Sequence, residues 1–194
     1  MAAPKEVEVK VTVDDLKTLE QKLRDSGFRQ VTPAAHELNT LYDLRLRPLR
    51  RKGQILRLRK YGDTWKLTHK SRDLKRGASA PKHKTRVENE TKVEDGERMD
   101  AILRALGYSP TFIYEKFRAE WTDGEGHVVL DHTPIGDLAE IEGSPKWIDA
   151  TARKLEIHPN KYITKSYAEM FFDWKKRTKS PAKQMTFADC GAKS

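Results

Sequence analysis

Apolar and polar residues alternate at the start of the chain, over residues 5–13 (KEVEVKVTV), with the period of two that predicts a half-buried β-strand. A helix is predicted over about residues 14–26, because leucines recur there at helical spacing and Gly27 follows as a stop. Residues 41–53 are basic and contain Pro48, which predicts the end of a strand running into a loop. The first part of the chain is therefore predicted to form a strand, a helix and a strand end.

Two hairpins are predicted by pairs of strand patterns that flank turn residues. The first joins residues 54–60 (QILRLRK) to residues 64–70 (TWKLTHK) through a Tyr-Gly-Asp turn. The second joins residues 112–121 (FIYEKFRAEW) to residues 127–132 (HVVLDH) through the turn TDGEG. Residues 138–143 (LAEIEG) add one more short strand.

The remaining elements are another strand and three helices. The strand covers residues 85–93, and a helix follows over about residues 95–106. Ser144, followed by a proline, is a good N-cap for a helix over about residues 145–156. A last short helix is predicted over about residues 166–177.

A faint internal repeat relates the two halves of the chain. Residues 6–11 (EVEVKV) resemble residues 88–93 (ENETKV), and a predicted helix follows each segment. Two similar β-α-β-β halves would form a pseudosymmetric sheet or barrel. Chance similarity in a chain rich in Glu and Lys is the alternative.

The positions that share one face of each predicted strand are almost all charged. The basic ones are Lys10, Arg57, Arg59, Lys66, Lys70, Arg86, Lys116 and Arg118. The acidic ones are Glu6, Glu8, Glu88, Glu90, Asp131, Glu140 and Glu142. An antiparallel sheet with one wet face produces such alternation by default, and this is the alternative for any single strand.

A concave or closed sheet with these charges inside explains the whole set better. Buried charges need partners, and cross-strand charge pairs on an exposed sheet contribute at most about 1 kcal/mol each. A polyphosphate with Mg²⁺ or Mn²⁺ supplies both kinds of partner, because phosphate oxygens bind Arg and Lys while hard cations bind carboxylates. The pattern therefore favours an elongated polyphosphate ligand with divalent cations along its walls.

Composition excludes several classes of protein. The 194 residues are 37% hydrophobic and 35% charged, with mean hydropathy −0.80, and apolar residues recur throughout, which argues against global disorder. No stretch approaches the roughly 18 apolar residues of a membrane span, and the first residues lack a signal-peptide pattern, so we expect no membrane partner. The single cysteine, Cys190, rules out an internal disulfide and a cysteine-cluster metal site and fits a reducing cytoplasm.

The location of the net charge of +9 matters more than its size. Residues 175–194 hold six basic residues and one acidic residue, so about half of the excess lies in the C-terminal tail. We predict that residues 178–194 form a basic, disordered tail after a domain at residues 1–177. Basic charge alone is therefore weak support for nucleic-acid binding.

The sequence resembles the CYTH family of triphosphate tunnel metalloenzymes. The family's ExExK signature is present at residues 6–10, and the other blocks follow in the family's order. They are LRLR at 56–59, LTHK at 67–70, RVENE at 86–90, EKFR at 115–118, VVLD at 128–131, IGDLAEIEG at 135–143 and KSYAEM at 165–170. Residues 106–118 (LGYSPTFIYEKFR) and 130–143 (LDHTPIGDLAEIEG) most resemble the class IV adenylyl cyclase branch, whose members include phosphohydrolases acting on other triphosphates.

The resemblance implies an α+β fold, an antiparallel eight-stranded β-barrel (the triphosphate tunnel) with helices packed outside it, and a homodimer. It implies Mg²⁺ or Mn²⁺ held by Glu6, Glu8, Asp131, Glu140 and Glu142. It implies triphosphate binding by Lys10, Arg57, Arg59, Lys70, Arg86, Lys116, Arg118 and Lys165. Lys66, Glu88 and Glu90 rank lower, and no catalytic base is identified.

The expected function is that of a metal-dependent enzyme acting on a small triphosphate, most like a class IV adenylyl cyclase that converts ATP to cAMP and pyrophosphate. The alternative is a triphosphatase that hydrolyses inorganic tripolyphosphate, thiamine triphosphate or a nucleoside triphosphate. Residues 71–85 are predicted to form a long mobile basic loop. The rival from another class is a non-catalytic polyanion- or RNA-binding module built on the basic loops at 45–52 and 72–86 and on the tail. That rival leaves the carboxylates unexplained, so nucleic acid is not the expected partner.

Overall fold

The computed structural model describes residues 5–72 and 83–194, so most of the predicted loop 71–85 lies outside the described residues. Eight antiparallel strands form a closed barrel, which confirms the expected α+β barrel fold. The strands are β1 (Lys5–Thr12), β2 (Arg29–Asp43), β3 (Ile55–Tyr61), β4 (Thr64–Arg72), β5 (Lys84–Val93), β6 (Ser109–Thr122), β7 (His127–Thr133) and β8 (Gly136–Glu142). The helices are α1 (Leu16–Asp25), α2 (Pro48–Arg51), α3 (Gly96–Ala105), α4 (Pro145–Lys154), α5 (Tyr167–Thr178) and α6 (Phe187–Cys190).

The barrel has a pseudo-twofold strand order. Around the barrel the strands run β1-β5-β4-β3-β2-β6-β7-β8 and return to β1. If each strand of the first half (β1–β4) is swapped with its counterpart in the second half (β5–β8), the order of strands around the barrel is the same but runs in the opposite direction. The similar segments 6–11 and 88–93 lie on the equivalent strands β1 and β5, although each half has three strands after its first helix rather than two.

The apolar core lies outside the barrel, between its outer face and the helices. Strand side chains alternate between the two faces, so the charged face turns inward and the apolar face meets α1 and α4. Leu23, Trp121, Ile141 and Ile148 are fully buried in this layer. None of the helices in residues 5–72 and 83–194 is both long and apolar enough to cross a membrane.

Strand β2 is much longer than its sequence indicates. The pattern predicts a strand end near residue 41, whereas the strand begins at Arg29 and pairs with β6 along most of its length. Its first half contains Pro33 and lacks apolar alternation. The register with β6 shifts between Thr32 and Ala35, and a proline is tolerated at such a bulge because its missing N–H has no ladder partner to lose.

The C-terminal tail is ordered, contrary to the prediction of disorder for residues 178–194. Met185 and Phe187 are buried against the outside of the barrel. The Met185 amide donates to the Ile113 carbonyl, and the Glu115 amide donates to the Met185 carbonyl. The edge of a strand that has no neighbour presents unpaired backbone N–H and C=O groups. The tail provides hydrogen-bond partners for these groups of β6 at Ile113 and Glu115. The composition of the tail does not indicate this contact.

Candidate active site

A continuous cavity of about 780 Å³ occupies the barrel interior. Its walls carry side chains of both signs. The predicted site residues that line it are Glu6, Glu8, Lys10, Arg57, Arg59, Lys70, Arg86, Glu88, Glu90, Lys116, Arg118, Glu140 and Glu142. The alternation of charge along separate strands therefore converges on one cavity, as the closed-sheet interpretation requires.

Strands β1, β5 and β8 bring five carboxyl groups together. Glu8 of β1 pairs in register with Glu142 of β8, and Lys10 with Glu140. On the other side, β5 contributes Glu88 beside Glu6. These carboxyl groups form the acidic wall of the cavity.

Burial and mutual repulsion favour the protonated form of two carboxyl groups in this acidic wall. Burial, reinforced by Glu8 and Glu88 against the opposing effect of Lys70, raises the pKa of Glu6 to about 8. Burial, reinforced by Glu8 and Glu140, raises the pKa of Glu142 to about 7. An additional cation here would relieve the repulsion and favour the ionised carboxylates.

Lysines supply part of the compensating charge. Lys70 Nζ lies 2.7 Å from an oxygen of Glu6 and 2.7 Å from an oxygen of Glu88. Lys10 Nζ lies 2.7 Å from Glu8 and 3.2 Å from Glu140. Although burial opposes it, the charge of Lys10 holds the pKa of Glu8 well below its usual range.

The donor set of the acidic wall fits a hard divalent cation. Carboxylate oxygens are the ligands that Mg²⁺ and Mn²⁺ prefer, and the raised pKa values of Glu6 and Glu142 mark carboxyl groups that lack enough positive charge. In the described part of the chain, no three Asp, Glu, His or Cys side chains already surround a common point in the manner of a preformed metal site. The ammonium of Lys70 bridges Glu6 and Glu88, so a divalent cation that engaged both would take its place.

The facing wall is basic and is built on β3 and β6. Glu37 of β2 is fully buried beneath it, with oxygens 3.5 Å from Lys116 Nζ, 3.5 Å from Arg59 Nη1 and 3.9 Å from Arg118 Nε. Despite burial, the charges of Lys116 and Arg118 hold the pKa of Glu37 well below its usual range. This carboxylate therefore helps to anchor three cationic side chains that line the cavity.

Two arginines of the basic wall retain unused donors. The Nε atoms of Arg57 and Arg59 are buried and have no hydrogen-bond partner within the described residues. A buried N–H without an acceptor is costly, and both guanidinium groups line the cavity, where phosphate oxygens are suitable acceptors for them. The basic wall is thus chemically suited to a phosphate chain.

Asp131 occupies a different place from the one expected of a metal ligand. It is fully buried and does not line the cavity. Its carboxylate accepts hydrogen bonds from Arg118 at 2.7 and 2.6 Å, from Lys116 at 3.1 Å and from the Tyr167 hydroxyl. These contacts orient Lys116 and Arg118, and the metal-ligand role that the resemblance implies for Asp131 stays a prediction.

Lys165 and Lys66 are also outside the cavity lining. Lys165 precedes α5, and its exposed ammonium lies 2.5 Å from Asp173, so its expected role in triphosphate binding stays a prediction. Lys66 lies 2.7 Å from Glu90, which in turn contacts Arg59 at 3.1 Å. Lys66 therefore reaches the basic wall only through a carboxylate.

Several residues that line or support the cavity were missed. Lys84 and Tyr114 have the same strand parity as predicted site residues, so extending the alternation by one step would have found both. Glu37 was missed because β2 was not recognised. Tyr167 begins α5 and reaches into the barrel to Asp131, a placement with no local signal.

Comparisons with known proteins agree with this architecture. The model of the CYTH domain matches residues 4–167. "Putative adenylate cyclase MJ0240" of Methanocaldococcus jannaschii is 27% identical over 176 residues, which are 85% of this chain and 97% of that protein.

Solved structures share the fold at low sequence identity. An X-ray structure of a "putative adenylate cyclase" from Vibrio parahaemolyticus has a TM-score of 0.75 at 19% identity and covers 88% of this chain and 99% of that chain. A Hippeastrum protein described as a "putative adenylyl cyclase" with a dominant triphosphatase activity has a TM-score of 0.59 at 16% identity, covering 87% of this chain and 95% of that chain.

Proposed function

The chain belongs to the CYTH domain family, and from this membership and the charged cavity we propose that it is a divalent-metal-dependent enzyme acting on triphosphates. The specific reaction that we propose is conversion of ATP to cAMP and pyrophosphate. The observation that carries the proposal is one cavity in which a wall of arginines and lysines faces a wall of carboxyl groups, two of which, Glu6 and Glu142, have raised pKa values.

The basic wall binds and orients the phosphate chain in this proposal. Arg57 and Arg59 line the cavity and donate to phosphate oxygens through their guanidinium groups. Lys116 and Arg118 are held in position by the buried carboxylates of Glu37 and Asp131. Fixed donors of this kind stabilise the charge that develops on a leaving pyrophosphate without having to reorganise during the reaction.

The acidic wall would hold Mg²⁺ or Mn²⁺. The candidates are Glu6, Glu8, Glu140 and Glu142, with Glu88 as a further one. When bound, the metal supplies charge neutralisation on the phosphates and Lewis acidity towards the attacking oxygen. The carboxylates also exclude a metal-free anion from this side of the cavity, which makes phosphate binding depend on the cation.

In the cyclase reaction the ribose 3′-hydroxyl attacks the α-phosphorus, the bond to the bridging oxygen breaks, and pyrophosphate leaves. The closed barrel favours a phosphate chain lying along the basic wall, because Arg57, Arg59, Lys116 and Arg118 of that wall line the cavity. The homodimer implied by the family resemblance remains a prediction that the elution volume on a sizing column tests.

Triphosphate hydrolysis is the second candidate. In that reaction water rather than the 3′-hydroxyl attacks a phosphorus atom, and the same two walls serve. The Hippeastrum protein, which shares this fold and has a dominant triphosphatase activity, favours this candidate. A non-catalytic polyanion-binding module is disfavoured, because the acidic wall would repel a polyanion that arrived without a cation.

Product analysis separates these candidates. Purified protein is incubated with ATP or with inorganic tripolyphosphate, with Mg²⁺ or Mn²⁺ and with EDTA controls, and the products are resolved by ion-exchange chromatography. Metal-dependent cAMP and pyrophosphate are expected from ATP. Release of orthophosphate without cAMP would refute the cyclase reaction and assign triphosphate hydrolysis instead. Binding that persists in EDTA without turnover of either compound would refute the enzyme.

A matched pair of double variants tests the acidic wall. Glu140→Gln with Glu142→Gln removes two cavity carboxylates, and metal-dependent turnover should be lost. Glu94→Gln with Glu97→Gln changes two exposed glutamates by the same chemistry, and turnover should be unchanged. Equal activity of the two double variants would remove the metal assignment.

A further inference from the structure

One end of the cavity has a chemistry different from that of its interior. At this end β2 finishes and β3 and β6 begin, and α2 and α5 flank the opening. Four arginines line it: Arg47, Arg50, Arg72 and Arg86. None of the four forms an ion pair within residues 5–72 and 83–194, whereas in the interior Lys10, Arg57, Arg59, Lys70, Lys84, Lys116 and Arg118 all face carboxylates.

The same end presents an aromatic ring. Phe172 of α5 lines the cavity and is 47% exposed. Its ring is supported by Phe171 at a centroid distance of 5.6 Å and by Phe112 at 6.2 Å. The guanidinium carbon of Arg50 lies 5.9 Å from the centre of the Phe172 ring. The ring is therefore held in place at the opening, and about half of its surface remains free.

We propose that Phe172 and Arg50 form a subsite for the nucleobase of a nucleoside triphosphate whose phosphates lie in the barrel. This inference rests on the proposed function and names the part of the substrate that the charged walls leave unspecified. Aromatic faces and guanidinium groups both stack on nucleobases, and every base has such a face. Arg72 and Arg86, which form no ion pair within residues 5–72 and 83–194, supply positive charge for the phosphate nearest the nucleoside.

The size of the whole cavity and the position of Phe172 agree with this assignment. The cavity volume of about 780 Å³ lies within the roughly 300–1,000 Å³ typical of sites for small organic ligands. Phe172 lies beyond residues 4–167, the region that matches the CYTH domain model. The subsite therefore depends on a residue outside that match, and it would favour a nucleotide over inorganic tripolyphosphate, which has no ring to stack.

The experiment compares two ligands that share three phosphates and differ in the ring. KM values, and dissociation constants by titration calorimetry with and without Mg²⁺, are measured for ATP and for inorganic tripolyphosphate. The variants are Phe172→Ala, Phe172→Trp, which keeps an aromatic face, and Leu106→Ala, which truncates an exposed apolar residue outside the cavity. Phe172 is half exposed, so these variants are expected to fold.

Phe172→Ala should raise the dissociation constant for ATP about tenfold, which corresponds to about 1.4 kcal/mol and lies within the range of a base–aromatic stacking contact. The dissociation constant for tripolyphosphate should be unchanged in Phe172→Ala. Phe172→Trp should retain ATP binding, and Leu106→Ala should bind both ligands as the wild type does. Unchanged ATP binding in Phe172→Ala, or equal weakening of both ligands, would overturn the subsite and leave the proposed function intact. Failure of the wild-type protein to bind or turn over either ligand would refute the proposed function itself.

Discussion

Replacing Glu142 by glutamine should change how the stability of the metal-free protein depends on pH. Burial and the charges of Glu8 and Glu140 raise the pKa of Glu142 from 4.5 to about 7. The folded protein therefore holds this proton more tightly than the unfolded chain does. The resulting stabilisation is complete below pH 4.5 and is lost as the pH rises through 7.

The size of the effect follows from the pKa difference. A shift from 4.5 to about 7 corresponds to roughly 3 kcal/mol, at about 1.4 kcal/mol for each pKa unit. For a chain of this length, 1 kcal/mol moves the melting temperature by about 2–4 °C. Between pH 4.5 and pH 8 the melting temperature of the wild type should therefore fall by about 6–12 °C relative to that of Glu142→Gln. Glutamine has nearly the same shape as glutamate and does not titrate, so the variant lacks this loss.

The assay is thermal unfolding of both proteins in EDTA across this pH range. Differences common to the two proteins cancel, and Glu125→Gln in the exposed β6–β7 turn serves as a control for loss of a carboxylate. Adding Mn²⁺ at pH 8 should stabilise the wild type more than Glu142→Gln, since the ionised carboxylate is the form that binds a cation. A difference between wild type and variant that stays constant from pH 4.5 to pH 8 would refute the reasoning.

Three further substitutions test the packing around the site. Glu37→Gln should lower the free energy of unfolding by about 3 kcal/mol and raise KM for the triphosphate, because buried cations such as Arg118 lose a compensating negative charge. Urea unfolding measures the first effect and steady-state kinetics the second. An unchanged unfolding midpoint would contradict this prediction. Met185→Ala should cost about 2–5 kcal/mol if the C-terminal tail is packed as described, whereas a disordered tail predicts no change in urea unfolding. Gly96→Ala should destabilise the protein in thermal unfolding, since its Cβ would lie 1.9 Å from the ring of Trp65; a melting temperature equal to that of the wild type would show that the ring can move.

Local sequence patterns predicted most of the secondary structure for a simple reason. Alternation with a period of two is a property of each strand by itself, so it identified the strands and the faces that carry charge. Capping is equally local, and Ser144 does cap α4 by accepting a hydrogen bond from the Trp147 amide. The charged faces then required a closed sheet with a ligand between its walls.

The tertiary structure alone decided what each charged side chain faces. Asp131 has the strand parity of an interior residue, yet Arg118, Lys116 and Tyr167 occupy its oxygens, and Tyr167 arrives from a distant helix. Glu37 lies on a strand whose polar sequence gives little alternation and is recognisable only from its pairing with β6.

The same distinction explains the C-terminal tail. Residues 178–194 have few apolar side chains, and composition predicts that such a segment cannot order itself. The open edge of β6 offers it backbone hydrogen bonds and an apolar surface, so Met185 and Phe187 are buried there. The sequence determined the faces of the strands, because side-chain direction is set by neighbouring residues; the barrel closure determined the partners, because contacts between residues far apart in sequence depend on which strands lie side by side.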